Sequence, residues 1–286
     1  MLSQAHLYQH NQHTLRYDLT AFNDLYRSYE SHWVERVMLT LPEADPQSGG
    51  LNTVADLMDA IDVLVQAEAE TESDTVHYVS HRMEREEFRI LVQEFALDGL
   101  TEAQAFYFIM PRLPLAAQLP MLRILIDEFG SANSKRMHTA LYVNLLEELA
   151  MPVDREHYVN CISESSFAFV NQFYWLTLRA EDPSYFAGAI TYLESVIPFF
   201  FPCYVNACKR LGIAAHHYYS EHCHIDHFHA LEGKRLLQAM DREQCLDLDK
   251  AWSGVRFSQH ITQEAFDQAV TKARSQKEKQ HAHNAA

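Results

Sequence analysis

Apolar positions recur along this chain at helical rather than strand spacing, and the polar breaks between them are few. Phe22, Leu25, Tyr26, Tyr29 and Trp33 fall at intervals of one helix face and predict a first long helix over Leu15–Leu41. The Pro-, Gly- and Ser-dense stretch Pro42–Gly50 ends it. Further amphipathic stretches predict helices over Thr53–Glu70, His77–Leu97, Ala116–Phe129, Lys135–Ala150, Asp154–Arg179, Tyr185–Leu211, Ala214–Met240 and Thr262–Gln276. Thr101 and Gln104 have the spacing of a capping box and predict a short helix through Ala103–Met110, stopped at Pro111 and Pro114. Gly99 is expected just past a helix end, and Pro198 and Pro202 are expected to kink a helix rather than split domains. No segment alternates with period two between turn signals, so no sheet is predicted.

The expected fold class is all-α, a single-domain helical bundle. Within it, 1–74 is an N-terminal helical extension, 75–245 the core, and 246–286 a C-terminal helix with a polar tail expected to fray into disorder. Composition agrees. Only 8 Gly and 9 Pro occur in 286 residues, and 48% of the residues are hydrophobic. The net charge of −16 disfavours phosphate backbones and anionic lipid, so no nucleic-acid or membrane partner is expected. The apolar run Val196–Phe201 is too short to span a bilayer, and the N-terminus lacks the basic and apolar pattern of a secretory signal. The five cysteines form no CxxC pair and read as reduced thiols of a cytoplasmic protein.

The chemistry concentrates in HHYYSEHCHIDHFHALEG. His222, Asp226 and His229 lie four and then three residues apart, one narrow stripe of a helix. Imidazole, carboxylate and imidazole from successive turns suit Fe, Mn or Zn. His224 and His227 face the other way, and a His-rich exposed helix could produce the same spacing by chance.

Three upstream residues bear on that choice. Glu128 ends one apolar helix and His138 starts the next, so both can point into one interhelical space. Glu194 is a lone acid in ITYLESVIPFFF, costly to bury as a charge unless paired or metal-bound. Taken singly, these could be an exposed helix end, a first-turn polar residue and an exposed face.

The ordered set Glu128, His138, Glu194, His222, Asp226, His229 resembles the ligand pattern of haem-oxygenase-like diiron oxidases and oxygenases, the iron-containing redox enzymes. The resemblance spans roughly 88–237. It implies a haem-oxygenase-like bundle holding two Fe(II) ions and using O2 as co-substrate. All six residues would be metal ligands, with Glu194 and Asp226 catalytic and Glu194 in a bridging or shifting position. The activity implied is oxidation of a small molecule, an amino acid or amino-acid-derived metabolite, in a biosynthetic pathway. Desaturation, decarboxylation or fragmentation is expected ahead of amine N-oxygenation, whose practitioners carry an additional carboxylate ligand. Glu94 and Glu102 are the nearest candidates for that ligand, but Glu102 reads more simply as a helix N1 residue. An external electron source and a homodimer are compatible with this reading.

Phe106, Tyr107, Phe108, Phe199 and Phe200 are candidate pocket walls, with core packing the alternative. Competing readings are haem binding on the same fold, a thiol-dependent relative that hydrolyses thiamine pyrimidines, and a non-catalytic metal-storing or sensing helical protein. Haem would leave the extra carboxylates unexplained, and no cysteine sits in a nucleophile's setting.

Overall fold

A computed structural model describes residues 1–17, 23–41, 50–71 and 73–284, with side chains through residue 277. Among the described residues the chain is helical throughout, with no strand. The order is α1 (Gln4–Tyr17), α2 (Asp24–Thr40), α3 (Val54–Glu70), α4 (Asp74–His81), α5 (Arg85–Glu94), α6 (Ala96–Gly99), α7 (Leu115–Glu128), α8 (His138–Glu148), α9 (Arg155–Val159), α10 (Glu164–Tyr174), α11 (Ser184–Phe200), α12 (Pro202–Leu211), α13 (His217–Arg242) and α14 (Leu248–Asn284). A 3-10 segment, Glu102–Arg112, precedes α7, and a π turn, Trp175–Arg179, extends α10.

Local signals explain many of the ends. Thr53 and Asp56 form a capping box at α3, with Thr53 Oγ1 accepting from Asp56 N at 3.2 Å. Ser73 Oγ accepts from Val76 N at the start of α4. Pro202 occupies the first turn of α12, where its missing N–H costs nothing, while Pro198 lies inside α11.

Several boundaries differ from expectation. The helix expected from Leu15 begins at Asp24, because Asn23 caps it through Leu25 N at 2.8 Å; Leu15 belongs instead to α1. The expected His77–Leu97 helix is divided into α4, α5 and α6. The capping box at Thr101 does not form. Its hydroxyl instead donates to Leu97 O at 2.7 Å, and Glu102 adopts a left-handed φ of 44°. The segment after Thr101 is a 3-10 helix that contains Pro111 rather than ending at it. Gly99 does not end its helix in the left-handed region; it is needed because the Tyr142 ring would lie 2.4 Å from a Cβ there. The C-terminal helix starts at Leu248, well before the expected Thr262, and stays helical to Asn284. The stretch expected as a linker at 42–50 lies outside the described residues except for Gly50.

α11 is the central helix, packed chiefly against α13 and α14. It supplies most of the segment Ser184–Leu211, which is long and apolar enough to cross a bilayer; 72% of its most apolar window is buried inside the bundle. Small residues let the neighbours close in. A Cβ on Gly188 would lie 1.9 Å from Ala251 O of α14, and one on Gly254 would lie 2.0 Å from Tyr185 O of α11. These are backbone contacts that a rotamer change cannot relieve. Gly254→Ala should therefore lower stability by about 1–3 kcal/mol, the usual cost of overpacking. A thermal melt of the variant at wild-type midpoint would contradict the close α11–α14 approach.

Candidate metal centre

α13 presents its polar stripe inward. His222, Asp226 and His229 are buried, with Asp226 at 0% exposure, while His224 and His227 are exposed. Opposite them, α7 ends in Glu128 and α8 opens with His138. The corner between them carries three left-handed residues in succession, Gly130 (φ 60°), Ser131 (52°) and Ala132 (64°). At Gly130 a Cβ would lie 2.5 Å from the backbone of Arg136, so only glycine allows this reversal. The corner brings His138 Nδ1 to 2.8 Å from Glu128 Oε2.

Two sets of donors result. Glu102, Glu128, His138 and His222 offer atoms that all lie within 4.8 Å of one another, and so do Glu128, Asp226 and His229. Glu128 belongs to both. Glu194 enters neither set but meets the second, with Oε2 3.1 Å from His229 Nδ1. Glu128 is thus the residue common to both sets, while Glu194, expected as a bridging or shifting carboxylate, lies beside the second. All six residues expected to converge do so, and Glu102 joins them.

Hydrogen bonds fix the ring faces. His222 Nδ1 lies 2.8 Å from Tyr218 O. A carbonyl only accepts, so Nδ1 carries the proton and Nε2 faces Glu102 Oε1 at 3.4 Å. Tyr218 OH donates to both Glu102 oxygens at 3.3 and 3.2 Å. His229 Nδ1 faces Glu194, Asp226 at 3.3 Å and Glu128 at 3.7 Å.

The charge pattern is one of carboxylates and imidazoles propping each other up. Burial works against Glu128's charge, but His138, His222 and His229 outweigh it and hold its carboxyl at about 2. Burial would lower His222, yet contact with Glu102 and the negative Asp226 and Glu128 push it up to about 10. His229, against the same opposition, is carried to about 11 by Glu194 and Asp226. Asp226 is pushed up to about 7, by burial and then by Glu194. Burial first, then Glu102, raises Asp98 well above the carboxylate range.

These residues fit a pair of metal ions. Both Asp226 oxygens and His229 Nε2 are buried without a hydrogen-bond partner, an expensive condition for such groups. The donors are oxygen and imidazole nitrogen without thiolate, a set suited to iron or manganese. The five cysteines are free and none belongs to either donor set.

Glu94, the other candidate for an extra ligand, lies elsewhere. Its carboxylate is buried, accepts from Ser163 N at 2.9 Å and Ser166 Oγ at 2.5 Å, and pairs with Lys272. Glu102 stands four residues after Asp98 and ahead of the apolar run 105–110, but inside the Thr101–Gln104 pattern of a helix start, which gives it a simpler reading. An apolar cavity of about 140 Å³ opens onto the cluster, reaching Glu102, Glu128, Glu194 and His222. Phe106 and Phe200 line it, Phe108 does not, and Tyr107 and Phe199 are exposed.

The chain belongs to the iron-containing redox enzyme family, whose pattern it matches over residues 89–261. It is 25% identical over 206 residues to the nitrosourea synthase of Streptomyces achromogenes subsp. streptozoticus, a match covering 68% of this chain. The chain spans only 42% of that protein's length. In fold it is similar to a domain of unknown function with a heme oxygenase-like fold from Shewanella denitrificans OS217. That likeness has a TM-score of 0.56 and 17% identity, covering 79% of this chain and 95% of that one. The all-α, haem-oxygenase-like architecture and the family expected from the ligand pattern are both found.

Metal binding must displace protons from the raised imidazoles. In the metal-free protein His222 and His229 sit above their unfolded value of 6.5, so their stabilisation is complete below that pH. It is lost as pH rises through about 10–11. Glu128 contributes above its ordinary value of 4.5 and loses that contribution as pH falls through about 2. Iron(II) binding at pH 7 should accordingly release between about two and three protons per chain, one from each imidazolium and a fraction from Asp226, and tighten from pH 6 to 8. Anaerobic calorimetry in buffers of different ionisation enthalpy measures this. A heat independent of buffer would contradict it.

Proposed function

We propose that this iron-containing redox enzyme holds two irons and uses dioxygen to oxygenate an amine nitrogen of a small molecule. Amino acids and amino-acid-derived metabolites are included in that class. The observation that carries the reading is Glu102, a carboxylate outside the expected six that shares one donor set with Glu128, His138 and His222. An additional carboxylate is the feature that N-oxygenating members are expected to carry, so its presence reverses the order expected from the sequence, which put C–H and C–C oxidation first. The name of the Streptomyces relative points the same way, since a nitrosourea bears an oxidised nitrogen.

In this reading Glu102, Glu128, His138 and His222 would hold one ion, and Glu128, Asp226 and His229, with Glu194 alongside, the other. When bound, the irons supply the dioxygen binding and redox capacity that no side chain here possesses. The chain's own part is positioning. Tyr218 orients Glu102 through its hydroxyl and His222 through its carbonyl. Glu128, shared by both sets, ties the two positions together. Phe106, Leu193, Phe200 and Phe201 exclude water from the cavity and leave room for an apolar stem.

Anaerobically reconstituted protein should retain about two irons per chain and take up oxygen with primary amines, yielding hydroxylamines or their further oxidation products. Glu102→Ala should weaken iron binding by at least ~10-fold and abolish N-oxygenated product. His224→Gln, on the exposed face, should do neither. Oxygen uptake with desaturated or decarboxylated products, insensitive to Glu102→Ala, would restore the C–H and C–C reading.

A further inference from the structure

The cavity is far more acidic than a metal site requires. Glu68, Asp98, Glu102, Glu128 and Glu194 all line it, and no lysine or arginine is among the described residues that do. Asp226, within electrostatic reach of Glu194, adds a further carboxylate. Two divalent ions would offset Glu102, Glu128, Glu194 and Asp226. Glu68 would remain, together with Asp98, which burial and Glu102 push towards its neutral, hydrogen-bonding form.

Neither has an ion-pair partner among the described residues. The Asp98 side chain makes no hydrogen bond or ion pair among the described residues, although it lines the cavity within electrostatic reach of Glu102, His222 and Glu128. Glu68, near the end of α3, is fixed by neutral donors: Tyr192 OH gives to Oε2 at 2.9 Å, and Gln259 Nε2 gives to Oε1. Arg256 acts on its charge without forming an ion pair. Neutral donors orient the carboxylate, and Arg256 offsets its charge only at a distance, without closing on it. On the same wall Thr262 Oγ1 is buried with no hydrogen-bond partner. An apolar cavity with a few convergent polar groups selects ligands by what those groups lack.

We infer that the cavity recognises a primary amine that carries a second cationic nitrogen, with that second nitrogen held by Glu68. This deepens the N-oxygenation reading and rests on it for the fate of the first nitrogen, which would lie beside Asp98 and the metal ligands. The aromatic and aliphatic wall between takes the methylene stem. Diamines, polyamine ends and basic side chains meet this description. A molecule with a carboxylate in place of the second ammonium would face Glu68 with like charge and find no basic group on the wall.

Binding of α,ω-diamines of three to eight carbons tests this against monoamines and ω-amino acids of the same lengths. Calorimetry is done under nitrogen on the full chain, once loaded with iron(II) and once metal-free. The best diamine should bind at least about tenfold more tightly than its monoamine, the size expected of one well-placed, partly buried charge pair. The ω-amino acid should bind worst. In Glu68→Gln the diamine should fall to the level of the monoamine, whose own affinity stays unchanged and reports an intact cavity. Equal binding of diamine and monoamine, preference for the ω-amino acid, or a diamine preference that survives Glu68→Gln would each overturn the inference. Iron content and oxygen uptake are measured separately. A chain that selects diamines but neither holds iron nor consumes oxygen would refute the N-oxygenation reading and leave the recognition standing.

Discussion

Burying Glu128 with its charge intact is the constraint around which this molecule is built. A carboxylate at 7% exposure is tolerable only if positive charge is delivered to it from several directions. His138 comes from the next helix, and His222 and His229 come from two turns of α13. Each imidazole of α13 in turn leans on another acid: Glu102 for His222, Glu194 and Asp226 for His229. No member can be removed without stranding another. The helices that carry them must therefore meet within a few ångströms, and the rest of the fold makes that possible.

Two kinds of backbone device supply the accuracy. At the α7–α8 corner, three residues of positive φ reverse the chain so that adjacent helices contribute an acid and an imidazole to one point. In the bundle interior, Gly188 and Gly254 let α11 and α14 touch backbone to backbone, and Gly233 of α13 admits Thr191 of α11. α11 carries Glu194 in its middle turns, so its lateral position sets how far that carboxylate reaches towards His229. Packing and chemistry are joined at this helix. An added methyl at Gly254 disturbs both.

How much of this could be read from the chain depends on how local each signal is. His222, Asp226 and His229 were legible because one helix carries all three at fixed spacing. Glu128 and His138 were legible because a break sits between them. Glu102 was obscured by Thr101 and Gln104, which spell a helix start that the backbone does not use. Thr101 bonds backwards to Leu97, and the turn that aims Glu102 is left-handed. That choice is made by tertiary packing, which sequence periodicity does not carry. α1 was missed for another reason. Its buried face mixes Leu7 and Tyr8 with Gln4, Asn11 and Thr14, and Asn11 bonds Asn171 of α10 at 3.0 Å. A face stabilised by buried amides shows no apolar stripe.

The Shewanella likeness, at 17% identity, concerns the path of the backbone alone, so what separates one member of this fold from another must lie in side chains. Here those side chains divide by partner. One group of acids is neutralised by imidazoles within the cluster and, in the proposed reading, by metal. A second group, Asp98 and Glu68, faces the same apolar cavity without an ion-pair partner among the described residues. Water could solvate such groups on an open surface at little cost, but a cavity walled by Phe106, Phe173, Phe200 and Phe266 gives it little room. A carboxylate kept in that setting raises the cost of every occupant except one that brings its own positive charge. The acidity that looks excessive for a metal centre thereby becomes a filter on substrates, exerted by residues that need not touch the metals at all.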